Sequence, residues 1–110
     1  MIVILDSSIL IGLGGIGRLA LLHDLFGEVI IPQAVASEAV DYGRDAETAR
    51  VVTESLWIKT VEVENQLAVR VLLHPLDLGE AEVIVLTQEL NADLAGVDER
   101  LAREKLESLG

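Results

Sequence analysis

The sequence contains no cysteine and very few aromatic residues. The absence of cysteine excludes disulfide bonds, thiolate catalysis and zinc sites built from cysteine, and it fits a reducing compartment. Aromatic residues make up only 3% of the chain, too few for a surface on which nucleic-acid bases stack between aromatic rings. We therefore expect Trp57 to be a packing residue rather than a stacking platform.

Long hydrophobic runs and positive charge are also scarce. No apolar run approaches the roughly 18 residues of a membrane-spanning helix, and the apolar N-terminal segment is interrupted by Asp6 without a basic leader. We therefore expect a cytoplasmic protein. Eight basic residues face nineteen acidic ones, and the net charge of -11 is opposite to that of a broad nucleic-acid-binding surface. Either the partner is neutral or cationic, or divalent metal holds the acids together and contacts a substrate phosphate.

What remains is a chain of short apolar segments that alternate with amphipathic ones. With 110 residues, 51% of them hydrophobic, we expect one domain spanning 1–110, although this is short for a complete doubly wound sheet. The alternation predicts a parallel sheet with right-handed crossovers and helices on both faces. The predicted strands are 2–5, 29–31, 58–63 and 94–97, and the predicted helices are 18–26, 32–42, 45–54, 65–73, 77–91 and 99–109.

The first predicted strand runs directly into Asp6 and two serines. Its four residues are all apolar, without the alternation of a half-exposed strand, which predicts a strand buried on both faces. Ligands of open α/β sheets lie beyond the carboxyl ends of the strands. Asp6 is therefore the first candidate site residue.

The glycine run at 12–17 matches the letters of a dinucleotide-binding fingerprint, G-x-G-x-x-G. In that motif the glycine turn follows the strand directly, whereas here six residues intervene, and no acidic residue closes the next strand. We therefore interpret the run as a loop that joins a short helix to a longer one.

Three further acidic residues are candidates for the same edge of the sheet. Asp98 follows the fourth predicted strand as Asp6 follows the first, so both should lie at one edge. Glu38 borders the apolar face of helix 32–42 and is able to lean toward that edge, although a single helical glutamate is more often an ordinary surface residue.

The third candidate lies in the stretch Leu78-Gly79-Glu80-Ala81-Glu82. At about 100° per residue, Glu80 shares its stripe with Val83 and Ile84 and faces the protein, whereas Glu82 shares a solvent stripe with Glu89. We therefore expect Glu80 to be the site residue and Glu82 to be solvated. The alternative is structural, because Asp77 and Glu80 have the spacing of a capping box.

Four carboxylates at one edge imply a bound cation. They would repel one another and raise their own proton affinities unless positive charge lay among them. Oxygen ligands without cysteine or paired histidine select Mg²⁺ or Mn²⁺, and such ions support hydrolysis of a phosphodiester. A Mg²⁺-dependent phosphotransfer domain with Asp6 as the nucleophile ranks lower, because no lysine is placed for that role.

Four segments in this order resemble the PIN domain, most closely the VapC-type toxins of prokaryotes. The segments are Leu5-Asp6-Ser7-Ser8-Ile9-Leu10-Ile11, Ile31-Pro32-Gln33-Ala34-Val35-Ala36-Ser37-Glu38, Leu78-Gly79-Glu80-Ala81-Glu82 and Val97-Asp98-Glu99-Arg100. The resemblance implies a metal-dependent endoribonuclease that hydrolyses RNA, with Asp6, Glu38, Glu80 and Asp98 as catalytic and metal-binding residues. It also implies a supporting hydroxyl from Ser7 or Ser8, a homodimer, and an antitoxin partner in a toxin-antitoxin pair.

The fold that we expect is a three-layer, PIN-like α/β domain whose mostly parallel sheet has strand order 3-2-1-4. Family members usually continue into a fifth strand, whereas this sequence stops at Gly110, so we expect that strand to be lacking and the edge of strand four to need a cover. The short chain and its charge leave an alternative function open. It is a non-catalytic PIN-like subunit that acts through protein contacts with a basic partner.

Overall fold

A computed structural model of the chain describes residues 1–42 and 46–96. Strands and helices alternate along the described residues as the apolar segments predict. The elements are β1 (Val3–Leu5), α1 (Ser7–Gly15), α2 (Ala20–Phe26), β2 (Val29–Pro32), α3 (Gln33–Tyr42), α4 (Ala46–Glu54), β3 (Ile58–Val61), α5 (Gln66–Leu72), α6 (Leu78–Leu90) and β4 (Leu94–Gly96). Asp98 and the predicted helix 99–109 lie outside the described residues.

The four strands form one parallel sheet in the order β3-β2-β1-β4, which confirms the predicted α/β fold and strand order. β1 lies in the interior of the sheet: Ile4 is in register with Ile30 of β2 and with Ala95 of β4. All three residues of β1 are buried, as expected for a parallel strand covered on both faces. β3 lies at the edge, and Lys59 and Thr60 are exposed there.

The core is aliphatic and is centred on β1, β2 and α6. The run from Ala81 to Leu86 in α6 is buried at every position, so the helix has no solvent-facing stripe along this run. α6 packs against α3, α5 and the two central strands. Trp57 packs against the edge of this core and stacks on His23, with 5.2 Å between ring centroids.

The glycine run is helical over much of its length, so the predicted loop is wrong there. α1 extends from Ser7 to Gly15 and includes Gly12 and Gly14. Gly14 is buried, and a Cβ at this position would overlap the side chain of Thr48 in α4. Close contact between two helices therefore explains this glycine, and that contact outweighs the low helix propensity on which the loop prediction rested.

The first and last described strands are joined by a side-chain contact as well as by the sheet. Oδ2 of Asp93 accepts a hydrogen bond of 2.6 Å from the backbone N–H of Ile2, just before β1 and β4 begin to pair. Among residues 1–42 and 46–96, no helix has the length and apolar character to cross a membrane.

Candidate active site

Asp6 lies where β1 ends and α1 begins. Its extended backbone and short acidic side chain suit the N-cap of α1: Oδ1 accepts hydrogen bonds from the backbone N–H of Ile9 (3.1 Å) and from Oγ of Ser8 (3.0 Å). The side chain is buried, and the N-terminus of α1 favours its negative charge. The cap thus fixes a carboxylate at the carboxyl end of an interior strand, where the sequence predicts the site.

Glu38 reaches from α3 to the first residues of two other helices. Its Oε2 accepts a hydrogen bond of 2.9 Å from Oγ of Ser7, at the start of α1. Its carboxylate also accepts a hydrogen bond from the backbone N–H of Gly79, in the first turn of α6. The side chain is partly buried. Glu38 therefore leans into the protein, as the prediction required, and Ser7 is a hydroxyl that contacts the candidate site.

The surroundings of Glu38 disfavour its charged form. Burial raises the pKa of the Glu38 carboxyl above its ordinary value, and repulsion from Asp77 and Asp6 raises the pKa further. The hydrogen bonds from Ser7 and Gly79 act in the opposite direction on this pKa but do not cancel the increase. Two acidic neighbours and a partly desolvated carboxylate make this a place where a cation would be stabilised.

The glycine that precedes Glu80, Gly79, is required by a close contact with Glu38. A Cβ at position 79 would overlap Oε1 of Glu38. Only a residue without a side chain lets the carboxylate approach the backbone of α6 so closely. Gly79 therefore belongs to the candidate site and was not recognised as such from the sequence.

Glu80 forms the capping box that the sequence offers as its structural alternative. Its Oε1 accepts a hydrogen bond of 3.0 Å from the backbone N–H of Asp77, and Oδ1 of Asp77 accepts one of 2.9 Å from the N–H of Glu80. The Glu80 side chain is partly buried. Glu80 directly follows Gly79, the residue that Glu38 contacts. The structure thus places Glu80 beside the candidate site and gives its carboxylate a structural bond.

Glu82 is buried, so the prediction of a solvated side chain is wrong. It is 7% exposed, and its Oε1 accepts a hydrogen bond of 2.9 Å from the backbone N–H of Ala34 in α3. The prediction failed because it assumed one polar face along α6, whereas the helix is buried at every position from Ala81 to Leu86. Glu89, which lies seven residues farther along the same face of α6, is exposed as expected. The all-apolar run around Glu82 was the signal that its stripe is covered.

Comparison with known families agrees with this architecture. A sequence profile of a PIN-domain family matches residues 2–110. The chain is a PIN domain. Members of this family are generally nucleases, which are hydrolases, and they typically use divalent metal ions. Comparison of this PIN domain with curated proteins and with solved structures found no significant match.

The described carboxylates of this PIN domain suit a hard, hydrated cation. Asp6 and Glu38 are electrostatic neighbours and offer only oxygen ligands, and Mg²⁺ is usually held by one or two carboxylates with several waters. Within residues 1–42 and 46–96, no three His, Cys, Asp or Glu side chains lie close enough to share a metal ion. The fourth predicted ligand, Asp98, lies outside those residues. The pair Asp6 and Glu38 is thus the part of the predicted quartet that the structure brings together.

Proposed function

We propose that this PIN domain is a metal-dependent endoribonuclease that hydrolyses RNA phosphodiesters. The family membership supports a nuclease. The observation that carries the proposal is Glu38, a partly buried carboxylate whose pKa is raised by burial and by its acidic neighbours Asp77 and Asp6. A cation bound there would relieve the repulsion between these carboxylates and stabilise their charged forms. RNA itself is a proposal based on the resemblance to VapC-type toxins.

In this proposal Asp6, Glu38, Glu80 and Asp98 hold Mg²⁺ or Mn²⁺. When bound, the ion would supply a Lewis acid for the phosphodiester and a water of lowered pKa. The chain's own groups prepare the ligands. Backbone and hydroxyl donors fix Asp6 at the N-cap of α1, and Ser7 orients one oxygen of Glu38. Bonds of this kind hold a ligand in place before the metal arrives.

We further propose that the nuclease is a cytoplasmic homodimer and the toxin of a toxin-antitoxin pair. The net charge of -11 favours an antitoxin with a basic surface, because complementary charge speeds association and discriminates between partners. A bound cation at Asp6 and Glu38 would reduce the repulsion that this charge exerts on the RNA backbone.

The experiment that tests the nuclease is cleavage of RNA by the purified protein with Mn²⁺, with EDTA, and in the variant Asp6→Asn. Asparagine is also a favourable N-cap residue, so the variant should keep its fold and lose metal-dependent cleavage. The matched control is Asp24→Asn on the exposed surface of α2, which should cleave as wild type. Cleavage that persists in EDTA or in Asp6→Asn would refute the proposal.

One observation favours a second function, that of a non-catalytic binding subunit. The carboxylate of Glu80 already serves the capping box, a role that needs no metal. On this alternative the domain acts through contacts with a basic protein. Calorimetry that detects no Mn²⁺ binding by the folded wild-type protein, together with tight binding of a basic partner, would support this function over the nuclease.

A further inference from the structure

Glu82 is a buried carboxylate that the predicted metal quartet does not include. Its Oε1 accepts a hydrogen bond from the N–H of Ala34, the second residue of α3, and this bond is fully buried. The first N–H groups of a helix have no partner within the helix. Glu82 therefore supplies from α6 the acceptor that the first turn of α3 lacks, and the N-terminus of α3 in turn stabilises its negative charge.

The Ala34–Glu82 bond lies one helical turn away from the contact between Glu38 and Gly79. Ala34 precedes Glu38 by four residues in α3, and Gly79 precedes Glu82 by three residues in α6. Residues at these spacings lie on one face of a helix. The two helices are therefore joined by two successive contacts on facing sides, and the second contact includes the carboxylate of the candidate site.

This arrangement makes the position of Glu38 sensitive to Glu82. Glu38 must approach the backbone of α6 at Gly79 and the hydroxyl of Ser7 at the same time. A shift or rotation of α3 against α6 would break one of these contacts. A charge-assisted hydrogen bond in a dry interior is strong and directional, and it resists such a shift.

We propose that Glu82 is a positioning residue that sets Glu38 against Gly79 and Ser7. The metal-binding consequence rests on the proposed function, whereas the positioning itself concerns the metal-free protein. Groups that orient a metal ligand typically change metal affinity or activity by 10- to 100-fold when they are removed. Glu82 would act in this way without touching the metal.

Calorimetric binding of Mn²⁺ to a set of four variants tests the proposal. Glu82→Ala removes the acceptor, and Glu82→Asp retracts it by one carbon and serves if the alanine variant does not fold. Both should weaken Mn²⁺ binding by about tenfold or more. Glu82→Gln keeps an oxygen that accepts from Ala34 and should restore most of the affinity.

The matched control in this set is Glu89→Ala. Glu89 is on the same helix and accepts hydrogen bonds from the backbone N–H groups of Glu64 and Asn65, so it also joins α6 to a neighbouring segment. Its contacts lie away from Glu38. Its removal should leave Mn²⁺ affinity within about twofold of wild type. An equal loss in Glu89→Ala and Glu82→Ala would overturn the proposal, because it would reflect general loosening of α6.

A second readout separates positioning from stability and needs no metal. The amide proton of Gly79 donates to Glu38 and its NMR shift reports that bond. Glu82→Ala should move this shift in the same direction as Glu38→Ala, which removes the acceptor. In the Glu38→Ala background, Glu82→Ala should move the shift little further and should no longer weaken Mn²⁺ binding, because the two changes act on one contact.

The outcomes distinguish the two proposals. If wild type binds no Mn²⁺, the nuclease proposal fails, and the Gly79 shift alone then decides the role of Glu82. If Glu82→Ala lowers stability but leaves the Gly79 shift unchanged, the positioning role is refuted whatever the metal data show. Additive effects of Glu82→Ala and Glu38→Ala on the Gly79 shift would also refute it.

Discussion

The N-terminus of α6 receives acidic side chains in two different ways. In the capping box, Asp77 and Glu80 each bond a backbone N–H of the other, an arrangement that helices use without any ligand. Glu38 comes from another helix, accepts from Ser7 and from Gly79, and has a raised pKa because of burial and acidic neighbours. Asp77 and Glu80 thus stabilise a helix end, whereas Glu38 lies where burial and repulsion disfavour its charge.

The unfavourable surroundings of the Glu38 carboxylate are informative because a neutral residue at position 38 would avoid them. A neutral side chain there would face no repulsion from Asp77 and Asp6. Buried or repelled carboxylates are concentrated at sites where a ligand or a proton is bound. The contrast between Glu38 and the capping box thus points to Glu38 as the centre of the site.

Gly79→Ala tests the contact between Glu38 and α6 and should have the largest effect on the free energy of unfolding. The new Cβ would overlap Oε1 of Glu38, so the carboxylate has to move, and we expect a loss of about 2 kcal/mol in the free energy of unfolding. Urea denaturation measures it. The control Gly12→Ala lies in α1, where a Cβ meets no atom within 4 Å, and should stabilise the protein by about 0.5 kcal/mol. Equal effects of the two changes would show that Glu38 does not constrain position 79.

A smaller effect is expected from Glu80→Gln, which separates the two roles of Glu80. Glutamine also completes a capping box, so the free energy of unfolding should change by less than about 0.5 kcal/mol. If Glu80 is also a metal ligand, Mn²⁺ affinity measured by calorimetry should fall by about tenfold.

Asp77→Ala is the companion variant for this prediction. It removes the N-cap and should lower the free energy of unfolding by about 1 kcal/mol. Unchanged Mn²⁺ affinity in Glu80→Gln would leave Glu80 with its capping role alone.

The smallest effect is expected from pH, because Glu38 is only partly buried and solvent screens its interactions. The folded-state pKa of Glu38 is raised, so the folded protein binds more protons than the unfolded chain between the ordinary and the raised pKa. The contribution of Glu38 to stability is therefore greatest below this window and is lost as pH rises through it.

The measurement is urea denaturation of wild type and Glu38→Gln across that pH range without metal. The stability of wild type relative to Glu38→Gln should decline with rising pH. A difference that is constant or grows with pH would contradict the raised pKa of Glu38.

The fold was predictable from the sequence to the extent that burial patterns are local. The all-apolar run before Asp6 and the alternation from Ile58 onward identified an interior and an edge strand, whereas the strand order was expected from the resemblance to the PIN domain. The helical glycines of α1 were not predictable in this way. Gly14 is explained by its close contact with Thr48, a residue distant in sequence. Local helix propensity does not depend on such contacts and therefore does not predict them.

The candidate site was predictable where a residue's position on its element determined its neighbours. Asp6 at a strand end is such a case. Glu82 is the opposite case, because a helical wheel shows which residues share a face but does not show that a neighbouring helix covers that face. Gly79 was missed for a similar reason, since its role depends on Glu38 from another helix.

The most direct test of the central claim is paramagnetic line broadening by Mn²⁺ in NMR spectra of the ¹⁵N-labelled protein. The amide signals of Asp6, Ser7, Glu38 and Gly79 should broaden at the lowest Mn²⁺ concentrations, and this broadening should be lost in Glu38→Gln. Broadening that instead begins at exposed acids such as Glu47 and Glu54 of α4, with none near Glu38, would contradict a metal site at the carboxyl edge of the sheet.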